Sequence, residues 1–284
     1  MATLSPLLIE KTVRAALEED LGASYIDLTS DLTIPADTTA TAVLRAREDG
    51  VIAGLIVGLS AFTLLDPEFD ISVHIHDGDN VAAGQVIASI TGPARALMGA
   101  ERVALNFIGH LSGIATETAK YVSALAGTGA QVCDTRKTLP GLRAFQKYAV
   151  SCGGGANHRF GLYDAVMIKD NHIAIAGGIE EALRNAALLA GHTTKIEIEV
   201  DTLGQLEQVL ATGMGDIVLL DNMDTKTIAK AVAMVDKRLV TEASGGVTVE
   251  NIRAIGETGV DYISVGALTH SVRNFDLGLD IDTE

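Results

Sequence analysis

Tryptophan is absent from this chain of 284 residues, aromatic residues of all kinds make up 4%, and cysteine occurs twice. With so few rings and a net charge of −16, the chain offers neither a base-stacking platform nor a surface that tracks phosphates, so nucleic acid is not an expected partner. Cys133 and Cys152 lie in no CxxC pair and in no Cys/His spacing that could build a structural zinc site, and buried free thiols are expected. Long apolar runs are missing as well. Hydrophobic residues reach 48% and mean hydropathy is +0.29, yet the longest uncharged run, residues 51–65, is broken by Gly54, Gly58, Ser60 and Thr63 and is too short to span a bilayer. No membrane partner is expected. The opening MATLSPLLIEKT has no basic leader ahead of an apolar stretch, which makes a cytoplasmic protein the expectation. No GxGxxG follows a strand-like run, which argues against a dinucleotide fold.

Positive charge, scarce overall, is concentrated in one place. Residues 131–172 hold Arg136, Lys137, Arg143, Lys147, Arg159 and Lys169 against three aspartates, a net +3 in a chain whose remainder carries −19. Convergent positive charge is costly unless something negative fills it, so a small anionic ligand is one reading of this island and a solvated basic surface the other.

Ser5, Pro6 and the apolar positions Leu8, Val13, Ala16 and Leu17 ahead of Gly22 predict a first helix. The runs TAVLRAREDGVIAGL, FDISVHIHDGDNV and QVIASITG then read as strands turning at Asp49-Gly50 and Asp77-Gly78, a small mixed α+β domain. Part of it, HDGDNVAAGQVIASITG, is similar to biotinyl and lipoyl carrier folds but lacks the hairpin-tip lysine that such carriers modify, which leaves it as scaffold. Leu97, Ala100, Ala104, Leu105, Ile108 and Leu111 recur at spacings of three and four and predict a long helix over 96–125, with Arg102 off its apolar stripe.

Beyond residue 130 the pattern changes to short apolar runs of β character, QVCDTRK, AVMIKDN, KIEIEVDT, DIVLLDN, LVTEASGG and DYISVGA, mostly separated by helix-like stretches. This is the signature of β-α units in a parallel sheet, and so dense a succession favours a barrel over an open doubly wound sheet. Barrels of this kind place their chemistry at the C-terminal ends of the strands. Those ends deliver Arg136 and Lys137, Lys169, Glu199, Asp221, Ser244-Gly245-Gly246 and Gly266, while His158 and Arg159 come from the glycine-rich loop between the first two strands. Arginine forks match planar carboxylates, lysine serves phosphate as a point charge, and glycine turns expose backbone N–H groups to a phosphate. Glu199 and Asp221 suit a Mg²⁺ ion, held directly or through water, or ribose hydroxyls; ion pairing with the lysines is the structural alternative.

Together DTRKTLPGLRAFQKYAVSCGGGANHRFGLYD, IKDNH, IEVDTL, LLDNM, EASGG and VDYISVGALTHS resemble the quinolinate phosphoribosyltransferases, over nearly the whole chain from Leu17 onward. The resemblance implies an α/β fold: an incomplete α/β barrel over residues 113–271 and an N-terminal α/β sandwich over 1–112, with the tail 272–284 packed on the sandwich. It implies phosphoribosyl transfer from phosphoribosyl pyrophosphate to quinolinate with decarboxylation, Mg²⁺ as cofactor, and a homodimer in which one subunit helps complete its neighbour's site. Position by position, Arg102 would reach the substrate from the partner subunit. Thr135, Arg136, Lys137, His158, Arg159 and Lys169 would grip quinolinate and the diphosphate. Glu199 and Asp221 would face ribose and Mg²⁺, and Ser244, Gly245, Gly246 and Gly266 would hold the 5′-phosphate. Lys137, Lys169, Glu199 and Asp221 would carry the chemistry. The alternatives are a paralogue of the same fold taking another base, a Schiff-base aldolase using Lys137 or Lys169, and a non-catalytic anion binder.

Overall fold

The computed structural model describes residues 3–281, which fall into two compact units: 3–119, 144–154 and 271–281 in the first, and 120–143 with 155–270 in the second. The chain runs α1 Pro6–Leu21, α2 Leu28–Thr33, β1 Thr39–Ala46, β2 Gly50–Val51, α3 Leu55–Leu65, β3 Asp70–Val73, β4 Asn80–Val81, β5 Val86–Pro93 and α4 Ala94–Ala124. It continues β6 Gln131–Cys133, α5 Arg143–Cys152, β7 Val166–Ile168, α6 Asp170–Ala176, α7 Ile179–Leu189, β8 Ile196–Val200, α8 Leu203–Thr212, β9 Ile217–Asp221, α9 Thr225–Val235, β10 Val240–Ser244, α10 Ile252–Gly256, β11 Tyr262–Ser264, α11 Ala267–His270 and β12 Leu277–Ile281. Among the described residues no helix is long and apolar enough to cross a membrane.

The first unit carries a four-stranded antiparallel sheet in the order β12-β1-β5-β3 and a short β2-β4 ribbon. Period-two alternation in β1 sends Ala42, Leu44 and Ala46 inward, as expected of a half-buried strand. The sheet draws on both ends of this sequence: Ala42 pairs with Ile281 and Ala46 with Leu277. Helix α3 is apolar on nearly every side and buries Leu55, Val57, Leu59, Ala61 and Phe62. Gly58 lets it approach α4, since a Cβ there would lie 2.5 Å from Ile108 Cγ1 and 2.8 Å from the Ala104 carbonyl oxygen. On α4, Leu97, Ile108, Leu111 and Ile114 are fully buried, each contributing about 1.5–3 kcal/mol of transfer free energy.

Helix α5 belongs to this first unit, although sequence order places it in the barrel. Its amphipathic face explains the difference. Phe145 packs against Phe107 with ring centroids 6.3 Å apart, Gln146 Nε2 lies 2.8 Å from His110 Nε2, and the Tyr148 hydroxyl donates to Asp77 Oδ2 at 2.8 Å. Asp77 Oδ1 accepts from the Leu55 N–H at the start of α3, and burial raises this carboxyl above its ordinary range. Cys152, also on α5, is a buried thiol that burial and the Asp77 charge push up to about 12; Cys133 is buried too. Cys152 is therefore not a reactive thiolate.

The second unit is an incomplete α/β barrel whose six strands run in the order β6-β11-β10-β9-β8-β7, with every neighbouring pair parallel. The terminal strands β6 and β7 do not pair with each other; beside β6 the chain instead makes a single parallel bridge from Cys133 to Ala156. On β8, Ile196, Ile198 and Val200 face one way and are buried, so Glu197 and Glu199 share the opposite, inward face. The same alternation sets Leu219 with Asp221 and Glu242 with Ser244. The barrel interior is therefore layered, as in larger α/β barrels: the last inward positions form a rim and those two residues earlier form a floor.

Candidate active site

A cavity of about 560 Å³ opens at the C-terminal ends of the parallel strands, and residues from both layers line it. From the floor come Met167, Leu219, Glu242 and Ser264; from the rim come Lys169, Glu199, Asp221, Ser244 and Gly266. Thr135, Arg136 and Lys137 reach it from the turn after β6, and His158 and Arg159 from the loop beside that strand. Twelve of the thirteen residues singled out from sequence thus meet in one place. Arg102 is the exception: it lies exposed on α4 in the first unit and does not line the cavity.

Local structure explains each placement. Lys137 N–H donates to Thr135 Oγ1 at 3.0 Å, the Lys137 carbonyl accepts from Thr269 Oγ1 at 2.7 Å, and its aliphatic stem passes over Gly266, where a Cβ would lie 2.9 Å from Lys137 Cδ. Lys169 closes β7 and caps α6: its backbone N–H donates to His172 Nδ1 at 2.9 Å, which accounts for the histidine of the IKDNH motif. Its Nζ pairs with Glu199 Oε2. With an ion-pair partner and a side chain 43% exposed, Lys169 lacks the desolvated surroundings that activate an aldolase amine. Gly245 and Gly246 take φ of +100° and +59°, left-handed conformations that present consecutive backbone N–H groups at the end of β10.

The cationic island divides once folded. Arg136, Lys137, Arg159 and Lys169 line the cavity, whereas Arg143 donates to Thr138 Oγ1 at 3.0 Å and to the Phe160 carbonyl at 2.9 Å, holding the loop between them. Lys147 is fully buried in the first unit. Asp164, which accepts from the N–H groups of Phe160 and Gly161 at 2.7 and 2.9 Å, folds the same loop back so that Arg159 Nη1 donates to the Ala165 carbonyl at 2.9 Å. Burial and the neighbouring Arg136 charge pull the Arg159 guanidinium below its ordinary value, opposed by Glu197 and Asp164, and its Nε is buried without a partner.

Beneath the rim sits a cluster that residue-by-residue reading missed. His158 Nε2 lies 3.0 Å from Glu197 Oε2 and 3.6 Å from Glu242 Oε2, and both glutamates are almost completely buried. Burial, followed by the charge of Glu197, raises the Glu242 carboxyl to about 7, against the lowering effect of His158. Glu197 Oε1 and Glu242 Oε1 have no hydrogen-bond partner. The signal was present in IEIEV and TEAS, where Glu197 and Glu242 stand two residues before the rim positions Glu199 and Ser244 and so share their face. Asn222, Met167, Leu219 and His270 are among the additional lining residues.

Comparison with known proteins agrees along the entire length. The family described as "Quinolinate phosphoribosyl transferase, N-terminal domain" matches residues 27–112, and "Quinolinate phosphoribosyl transferase, C-terminal domain" matches 114–280. The chain is 44% identical to a probable nicotinate-nucleotide pyrophosphorylase [carboxylating] of Bacillus subtilis, covering 98% of this chain and 95% of that one. It is 46% identical to a nicotinate-nucleotide pyrophosphorylase [carboxylating] of Mycobacterium leprae, covering 95% and 96%. Among solved structures, NadC from Streptococcus pyogenes superposes with a TM-score of 0.95 at 41% identity over 99% of each chain. Two family domains in the same order, relatives matched from end to end and a superposable fold give one answer: the chain belongs to the quinolinate phosphoribosyl transferase family.

Proposed function

We propose that this chain transfers the phosphoribosyl group of phosphoribosyl pyrophosphate to quinolinate and releases CO₂, yielding nicotinate mononucleotide and pyrophosphate in NAD biosynthesis. The observation that carries this reading is the convergence of cations, two rim carboxylates and a glycine turn on one cavity in a chain of this family. Arg136, Arg159 and His158 suit the two carboxylates of quinolinate, because guanidinium forks bind such groups with two parallel hydrogen bonds. Lys137 and Lys169 suit the diphosphate, and the backbone of residues 244–246 suits the 5′-phosphate.

Breaking the bond at the anomeric carbon builds positive charge on ribose and negative charge on the departing pyrophosphate. Glu199 and Asp221 would favour the first and the lysines the second, through interactions stronger in the transition state than in the ground state. Once the ring nitrogen carries the ribose it is cationic, and its charge stabilises the electron pair left on the adjacent ring carbon when the carboxylate departs as CO₂; a proton from solvent then takes that carbon.

Mg²⁺ is part of the proposal. Glu199 and Asp221 offer oxygen, the donor this hard cation takes, and among the described residues one oxygen of each has no protein hydrogen bond. His158, Glu197 and Glu242 bring donor atoms within 4.8 Å of one another, but an imidazole nitrogen suits a softer metal. Bound at the rim, Mg²⁺ would neutralise charge on the leaving diphosphate. We propose further that the enzyme is cytoplasmic and works as a homodimer in which exposed Arg102 completes the partner's cavity.

The test is incubation of the purified chain with quinolinate, phosphoribosyl pyrophosphate and Mg²⁺, following CO₂ and nicotinate mononucleotide together, with nicotinate as a parallel substrate. Stoichiometric, Mg²⁺-dependent release of both products from quinolinate is expected. Activity on nicotinate alone would replace quinolinate as the substrate, and ligand binding without turnover would replace the enzyme with an anion binder.

A further inference from the structure

Asn222 directly follows Asp221 at the end of β9 and lines the cavity. Its φ of 53° lies in the left-handed region, which asparagine and aspartate enter more readily than other side chains. Its backbone N–H donates to the Ser244 carbonyl at 2.8 Å, tying the end of β9 to the end of β10. Its side-chain Nδ2 donates to Asp221 Oδ2 at 2.7 Å, and this is the only hydrogen bond to that carboxylate among the described residues. Its Oδ1 lies 2.1 Å from the place a Cβ on Gly245 would occupy. An ionised carboxylate can only accept hydrogen bonds, so the planar amide must turn its NH₂ toward Asp221 and its oxygen toward Gly245. One side chain thereby orients Asp221 and fills the space beside the glycine turn.

We infer that Asn222 is a positioning residue for phosphoribosyl transfer, its amide orienting the Asp221 carboxylate and holding it in register with the turn at residues 244–246. The inference rests on the transferase reading above. Its reach follows from what Asp221 must do: a carboxylate that meets charge developing on the sugar is effective only if its direction is settled before the charge appears, and misplacement of a reacting group by about 1 Å costs on the order of 10²-fold in rate.

Three variants of the full chain separate the amide from the turn. Asn222→Asp keeps the shape and tolerates left-handed backbone but cannot donate; Asn222→Gly keeps the backbone and removes the amide; Asn222→Ala loses the amide and strains the backbone. Steady-state kcat, KM for both substrates, Tm and the calorimetric affinity for quinolinate are measured on each. The expected result is a fall in kcat of about 10- to 100-fold in Asn222→Asp and Asn222→Gly, the size usual for an outer-shell partner, with quinolinate affinity and Tm close to wild type. Asn222→Ala is expected to show the same loss of kcat and a lower Tm. Wild-type kcat in Asn222→Gly, or a parallel decline of kcat, quinolinate affinity and Tm in all three, overturns the inference and leaves Asn222 as a turn residue. A wild-type chain that releases no CO₂ overturns the transferase reading itself, before any variant is compared.

Discussion

Asp77 in the first unit and Glu242 in the second are both carboxyls that burial lifts above the usual range. Around Asp77 each oxygen has a donor, the Leu55 N–H on Oδ1 at 3.0 Å and the Tyr148 hydroxyl on Oδ2 at 2.8 Å. Around Glu242 one oxygen has no partner, a second buried glutamate adds like charge, and His158, which also lines the cavity, lies 3.6 Å away. A perturbed titration is common to both. What separates a structural carboxylate from one in a working site is whether its hydrogen bonds are complete, because a closed network fixes packing while an open one retains capacity for a ligand or proton.

The sharpest test of that contrast is at the rim. Asp221→Asn is expected to lower kcat about 10²- to 10³-fold with Tm unchanged, the magnitude of losing one preorganised electrostatic contact. A loss confined to KM would reduce the cavity to a binding pocket. Arg159→Ala is next: its KM for quinolinate should rise about 10- to 150-fold, corresponding to roughly 1.5–3 kcal/mol for a charge-assisted hydrogen bond, and an unchanged KM would remove Arg159 from the substrate site. On the structural side, Asp77→Ala leaves the Leu55 N–H and the Tyr148 hydroxyl unpaired, and urea unfolding should show a loss of about 1–3 kcal/mol with kcat of the folded enzyme preserved. A fall in kcat at wild-type stability would break the comparison.

The smallest effect concerns pH. The folded-state value of Glu242, about 7, exceeds that of an unfolded glutamate, so the fold favours the protonated form. Stability from this preference is full below the unfolded value and is lost as pH rises through about 7. Glu242→Gln does not titrate. Its Tm relative to wild type should therefore be higher at pH 8 than at pH 5, and a difference that does not vary with pH would assign the perturbation elsewhere.

Much of this was legible in the residues. Each of the six apolar runs became a strand, and Lys169, Glu199, Asp221 and Ser244 stand at strand ends because a short run bounded by polar residues gives both the element and its terminus. The floor was harder to see. Glu197 and Glu242 interrupt apolar strands and read as scaffold unless the two-residue period is followed backward from the rim. Helix α5 could not be assigned from its position in the chain, since its unit is decided by contacts of Phe145, Gln146 and Tyr148 with residues far away in sequence. Asn222 was hidden for a different reason: its role lies in a backbone angle and a neighbour's missing Cβ, neither of which leaves a periodic trace.

The unpaired strands at the two margins of the barrel sheet have a mechanical consequence. A closed ring of staves would bind every segment around its circumference into one cooperative unit, so that shifting any part would rupture hydrogen bonds on both sides. Here the ring is interrupted between β6 and β7, beside the segment bearing His158 and Arg159, which is attached to β6 through the neighbourhood of Ala156. That segment is therefore secured by side chains rather than by a ladder, the His158 N–H donating to Asp134 Oδ1 at 2.9 Å and Arg143 Nη1 to the Phe160 carbonyl at 2.9 Å, while the five parallel seams of the sheet are made without it.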